Sequence, residues 1–168
     1  MENKNNREGL QYYYHKGHYN AEDIELSLES VKNIFFKESD DEDVQDSVDY
    51  QFENASVFLH GACHLFALAL HEKYGYPVYQ LYYRDSVYFH AFCKAVYHKQ
   101  VAFIDVRGIT TNEEEFVSTL EPGLSRDYLI GKRDIRNDKL LQEEGDAFGI
   151  KFARALIQEN WVMYDISQ

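Results

Sequence analysis

Apolar positions recur along this chain with two different periods, and the change of period marks out its elements. Ile24, Leu28, Val31 and Phe35 share one helical face behind Asn20-Ala-Glu-Asp, an N-cap with acids in the first turn, which predicts an amphipathic helix over 21–36. Residues 52–59 are short and mixed. Leu65, Phe66, Leu68, Ala69 and Leu70 then form a dense apolar run that Gly75 and Pro77 stop, predicting a central helix over about 62–74. Beyond it the period shortens to two. Val78–Tyr83, Val87–Tyr97 and Val101–Val106 are β-branched and aromatic and read as strands, the last two joined across the hairpin-length link His98-Lys99-Gln100. The helical period returns in the last third. Thr111 or Asn112 caps a short helix over Glu113–Leu120, and Glu121-Pro122-Gly123 breaks it. A turn or two of helix is expected near 137–144 with a break near Gly145. Phe148, Phe152, Ala155, Leu156 and Glu159 then predict a helix over 146–160.

A helix followed by antiparallel strands points to an α+β fold rather than a doubly wound parallel sheet. The expected architecture is a central helix bearing Cys63 packed on a small antiparallel sheet, with flanking helices at both ends. The 168 residues are read as a single domain, 1–168, with residues 1–11 as a polar, mobile lead. Tyr12, Tyr13 and Tyr14 form an aromatic cluster of the kind that packs at a domain edge.

Composition narrows the function classes. A hydrophobic fraction of 45% and an aromatic fraction of 15% describe a chain that builds a core. The formal net charge of −12 opposes direct nucleic-acid binding and attachment to an anionic membrane. The acidic run over 38–49, including Asp40, Asp41, Glu42 and Asp43, reads as a solvated loop, since it lacks the glycine and terminal glutamate of an EF-hand. The polar start, Met-Glu-Asn-Lys-Asn-Asn, is not a secretory leader, and no run approaches the ~18–20 apolar residues of a membrane helix. With two cysteines there is no disulfide framework, so a cytoplasmic setting is expected.

The chemistry concentrates around the central helix. Cys63 follows Gly61 and Ala62, which leave room for a substrate, and it falls in the first helical turn, where the dipole and the backbone amides favour a thiolate. On the strand 87–97, His90, Phe92 and Lys94 share one face and Ala91, Cys93 and Ala95 the other. On 101–106, Val101, Phe103 and Asp105 share a face. An aspartate inside Val-Ala-Phe-Ile-Asp-Val needs a partner if buried, and the histidine on the neighbouring strand supplies one. Asp105 would then hold the His90 ring, and His90 would take the proton of Cys63. An oxyanion hole has the Cys63 N–H as its natural first donor, with His64, His60, Asn54 or Ser56 as candidates for the second. Cys93 reads as a buried structural thiol. His60-x-x-Cys63 and His90-x-x-Cys93 are zinc-type pairs, but residues three apart on a strand face opposite ways, and no metal or other cofactor is expected. His71 reads as a solvated histidine at the helix end, and Arg107 as a surface salt-bridge partner, with binding of a substrate carboxylate near Asp105 as the lesser alternative.

These residues carry a resemblance. Gly61-Ala62-Cys63-His64-Leu65-Phe66-Ala67 is similar to the transglutaminase-like pattern Gly-x-Cys-x-x-x-Ala. His90-Ala91-Phe92 resembles that group's His-Ala-Trp, and Phe103-Ile104-Asp105 its aspartate-bearing strand. The order helix-Cys, strand-His, strand-Asp over 61–108 is that of the wider papain-like superfamily of cysteine hydrolases. The chain departs from it at His64, where papain proper carries tryptophan, and at Val106-Arg107-Gly108, where transglutaminase cores commonly carry Pro-Thr after the aspartate. The resemblance implies thiol peptidase, amidase, deamidase or transamidase chemistry on a protein or peptide substrate. Cys63 would be the nucleophile, His90 the general base and acid, and Asp105 the orienting group. The alternative from composition is an acidic, non-catalytic binding protein, such as a mobile element might encode, that blocks a basic partner. It predicts salt-sensitive association indifferent to Cys63→Ala.

Overall fold

Residues 55–59, 61–84, 88–120, 127–133 and 144–167 are described by a computed structural model of the chain. The helix expected over 21–36, the acidic run 38–49, the tyrosine cluster 12–14, the break at 121–123 and the short helix near 137–144 lie outside the described residues, as do Asn54 and His60.

Helix α1 (Cys63–Tyr74) begins after a short 3-10 turn, Ala55–Phe58, and begins with the cysteine itself. It has no side-chain cap at Ala62. Its end is fixed by Gly75, which adopts φ 74° and donates its N–H to the His71 carbonyl at 2.8 Å. His71 is not simply solvated: its Nδ1 lies 2.8 Å from the Tyr76 carbonyl oxygen, which ties the helix end to the following strand. Cys63, Leu65, Phe66, Ala67, Ala69 and Leu70 are all buried, so α1 is a core helix with only a narrow outer stripe.

The sheet follows directly. Strands β1 (Val78–Tyr83), β2 (Tyr88–Tyr97), β3 (Gln100–Asp105) and β4 (Gly108–Thr110) form an antiparallel meander, and β5 (Tyr128–Lys132) pairs with β1 at the other edge, giving the order β4-β3-β2-β1-β5. The fold is therefore α+β, built on a small antiparallel sheet. The β2–β3 link is one residue tighter than the sequence pattern implied. Tyr97 pairs with Gln100, leaving a two-residue turn in which His98 and Lys99 take φ 46° and 67°. Double positive φ is what a primed hairpin turn requires. Val106 is not a strand residue but begins the turn into β4. Strands β4 and β5 were not anticipated: one is only three residues long, and the other follows a segment with no periodic signal.

Both faces of the sheet are covered, as the alternation of the strands demands. Ala91, Cys93, Ala102 and Ile104 face α1 and the C-terminal helix α3 (Glu144–Glu159), with Phe58, Phe66, Phe152, Leu156 and Tyr164 filling the layer. Leu81, Phe92 and Phe103 form the opposite layer under Phe116 and Val117 of helix α2 (Glu113–Leu120). Phe116 is its hub, with ring centroids 4.9 Å from Phe92 and 5.3 Å from Phe103. Asn112 caps α2, its Oδ1 accepting the Glu115 N–H at 3.1 Å. Gly145 lies inside α3 instead of breaking it, so that helix starts two residues before the expected 146. Among the described residues no helix is long and apolar enough to cross a membrane.

Candidate active site

The site forms where the start of α1 meets the end of β3. Gly61 is exposed and takes φ 153°, and among the described residues nothing lies within 4 Å of where a side chain would begin. Cys63 itself is 4% exposed. Its Sγ accepts the Ala91 backbone N–H at 3.3 Å, which pins the sulfur to β2 one residue past the histidine.

His90 is brought there by an irregular strand. Leu81 pairs with His90 but Tyr82 pairs with Tyr88, so Phe89 is left without a partner in β1. Such a bulge adds local twist and re-aims the neighbouring side chain. The ring is fully buried, lies parallel to the Phe92 ring at 6.3 Å, and sits 6.2 Å from Phe116. Its Nε2 is 2.9 Å from Asp105 Oδ2. Its Nδ1 makes no hydrogen bond of ordinary geometry among the described residues, and the Cys63 side chain is near enough to act on the ring. Burial by itself favours the neutral ring. The Asp105 hydrogen bond and then the Cys63 side chain outweigh it, and the His90 pKa is raised above its ordinary value.

Asp105 is held on every side. Besides His90, its Oδ1 accepts the Arg107 backbone N–H at 2.9 Å, and the Arg107 guanidinium spans both oxygens, with Nη2 2.8 Å from Oδ2 and Nε 3.2 Å from each. Burial pushes the carboxyl up, but the charge of Arg107 and the His90 hydrogen bond pull it well below the usual carboxylate range. Arg107 is no surface residue. It is 3% exposed, donates from Nη2 to the Phe116 carbonyl at 3.2 Å and lies 4.9 Å from the Phe116 ring. The expected salt bridge is present but buried, with Asp105 as the partner. The available signal of burial was the residue's place inside Val-Ala-Phe-Ile-Asp-Val-Arg-Gly-Ile, a stretch otherwise nearly apolar.

Cys63, His90 and Asp105 are thus gathered at one place. His64 is half-buried in the first turn of α1, beside Cys63. Cys93 is not part of the group. It is buried in the α1-facing layer, its thiol donates to the Ala67 carbonyl at 3.3 Å, and burial, aided by the charge of Asp105, raises its pKa strongly. The His90 ring and the Cys93 thiol lie on different layers, so the His-x-x-Cys pair on β2 does not converge. Among the described residues no three His, Cys, Asp or Glu side chains are placed to hold a metal ion.

No protein-family model matches the sequence, and no curated protein or solved structure matches it either.

Proposed function

We propose that this chain is a cysteine-nucleophile hydrolase or acyltransferase acting on an amide or isopeptide bond of a protein or peptide, with a papain-like, transglutaminase-like core. One observation carries the proposal. A cysteine at the first position of a buried helix interacts with a buried histidine whose Nε2 is bonded to a buried carboxylate. That is the arrangement by which a thiol is deprotonated and a leaving amine protonated.

The chemistry runs in two halves. The Cys63 proton passes to His90 Nδ1. The sulfur attacks the substrate carbonyl carbon, and a C–S bond forms. The oxyanion is met by first-turn donors of α1, the Cys63 N–H and His64. His90 returns its proton to the departing amine as the C–N bond breaks, leaving a thioester. Water or a second amine then attacks, His90 takes its proton, and the C–S bond breaks to regenerate the thiol pair. Asp105 supports the imidazolium throughout and stays ionised. The two free cysteines fit a reducing, cytoplasmic setting.

Sub-stoichiometric iodoacetamide across pH, read by peptide mass spectrometry on Cys93→Ser and Cys93→Ser/His90→Ala chains, tests this. Cys63 should react with an apparent pKa well below ~8.5 that depends on His90. A Cys63 that titrates as an ordinary thiol with both iodoacetamide and the smaller methyl methanethiosulfonate overturns it.

A further inference from the structure

The carboxylate that orients His90 is itself oriented, by the guanidinium of Arg107. Arg107 makes three side-chain contacts to Asp105, adds its own backbone N–H, and is anchored at its far end by the Phe116 carbonyl and ring. The fork leaves Asp105 Oδ2 shared between Nη2 at 2.8 Å and His90 Nε2 at 2.9 Å. A buried guanidinium in that geometry fixes the carboxylate plane and cancels part of its charge. The turn that bears it is held from the opposite side as well, because the Tyr164 hydroxyl donates to the Val106 carbonyl at 2.8 Å.

We infer that Arg107 is a positioning residue of the site: its bidentate grip on Asp105 sets the orientation of the His90 ring and moderates the pull of the carboxylate on the ring proton. This rests on the cysteine-enzyme reading for its purpose, though not for its test. A bare buried aspartate would hold His90 in the imidazolium form too tightly for the ring to give its proton to a leaving amine at neutral pH. Among the described residues, the groups that act on His90 and Asp105 are Cys63 from α1 and Arg107 from the turn after β3, and the charge of Asp105 is felt by Cys93 on β2 and Tyr164 in the C-terminal turn. Lys94 is engaged elsewhere, over the Tyr79 ring at 4.4 Å. Arg107 is bonded directly to Asp105, Nη2 to Oδ2 at 2.8 Å.

The test is nuclear magnetic resonance of ring-labelled histidine in the full chain, comparing wild type, Arg107→Gln and Arg107→Lys, with folding checked by circular dichroism. Removing the charge in Arg107→Gln should raise the His90 midpoint by about one unit, tenfold in protonation constant. Arg107→Lys keeps the charge but loses the planar fork. Its midpoint should stay near wild type while the Nε2–H resonance of His90 shifts with the freed carboxylate. If Arg107→Gln does not fold, the Nε2–H resonance of Arg107→Lys decides. An unmoved midpoint in a folded Gln chain, or an unmoved Nε2–H resonance in the Lys chain, overturns the inference. Both readouts are independent of turnover. A wild-type Cys63 that alkylates as an ordinary thiol would defeat the enzyme reading while leaving this result standing.

Discussion

His90 and Asp105 meet diagonally across β2 and β3, with Nε2 2.9 Å from Oδ2 and neither side chain more than 3% exposed. The register that pairs Cys93 with Ile104 places Phe92, not His90, opposite the carboxylate. The contact therefore depends on a diagonal reach, which long side chains on one face of an antiparallel pair can make. The bulge at Phe89 turns the histidine toward it.

This pair gives the fold a pH window. The folded-state pKa of Asp105 is depressed, so its stabilisation is complete above the unfolded value of ~3.9 and is lost as pH falls through the lower folded value. The folded-state pKa of His90 is raised, so its stabilisation is complete below ~6.5 and is lost as pH rises through the higher folded value. Both contributions are therefore full between about pH 4 and 6.5. Urea midpoints for wild type minus His90→Asn should be largest in that interval and shrink above neutrality. A difference that grows with pH would show that the ring is buried neutral.

Asp105→Asn should destabilise the chain by about 3–5 kcal/mol, since it leaves the Arg107 guanidinium buried against a neutral amide. Adding Arg107→Met should restore part of that loss, because the stranded charge is what costs most. Denaturant unfolding of the two singles and the double gives the coupling directly. Simple additivity would mean that the two side chains do not act as a unit.

The helix-strand-strand part of the fold was legible because each element there obeys a clean period. Val78–Tyr83 is the observed β1 end to end, and the alternation correctly separated Phe92 and Phe103 from Cys93 and Ile104. Gly75 and Asn112 announced a helix end and a helix start through backbone chemistry that leaves a mark on residue type. The two edge strands left no such mark. β4 has three residues, and β5 is a strand because β1 offers it an edge, which is a tertiary fact. Cys63, His90 and Asp105, which interact in the fold, were singled out from order and residue type. Arg107 was placed at the surface because a charged residue beside a glycine looks like a surface turn until its partner is known to be buried.

Cys93 should stay unlabelled by iodoacetamide in the folded chain at every pH at which the fold persists. Burial raises its pKa, its thiol is committed to the Ala67 carbonyl, and it has no exposed surface. In ~8 M urea it should label as an ordinary thiol. Mass spectrometry of the peptide carrying it separates the two states. Native labelling at Cys93 comparable to Cys63 would place it in a less protected position than the α1-facing layer.

The β2–β3 turn holds two side-chain-bearing residues at positive φ, His98 at 46° and Lys99 at 67°. Each costs roughly 1–2 kcal/mol relative to a right-handed conformation, and glycine is spared that cost. Lys99→Gly should therefore raise thermal stability, by about 1 kcal/mol once the greater freedom of glycine in the unfolded chain is subtracted. The turn lies at the opposite end of the β2–β3 pair from His90 and Asp105, so the alkylation profile of Cys63 should not change. A lower melting temperature would mean that Lys99 makes a compensating interaction in the folded chain.

Tyr164 should matter through its hydroxyl more than through its ring. The ring sits edge-on to Phe66 at 5.2 Å, and the Tyr164 carbonyl accepts the Tyr76 hydroxyl at 3.1 Å. Tyr164→Phe preserves both of these. It removes the 2.8 Å bond to the Val106 carbonyl, one residue from Asp105 and one from Arg107. A lost buried hydrogen bond of this kind costs about 1–3 kcal/mol. Because it loosens the turn that carries the carboxylate, the reaction of Cys63 with iodoacetamide at neutral pH should slow several-fold as well. Tyr76→Phe removes hydrogen bonds in the same C-terminal turn but none to Val106, so it should lower stability without changing that rate. Equal rates for wild type and Tyr164→Phe would confine Tyr164 to a packing role.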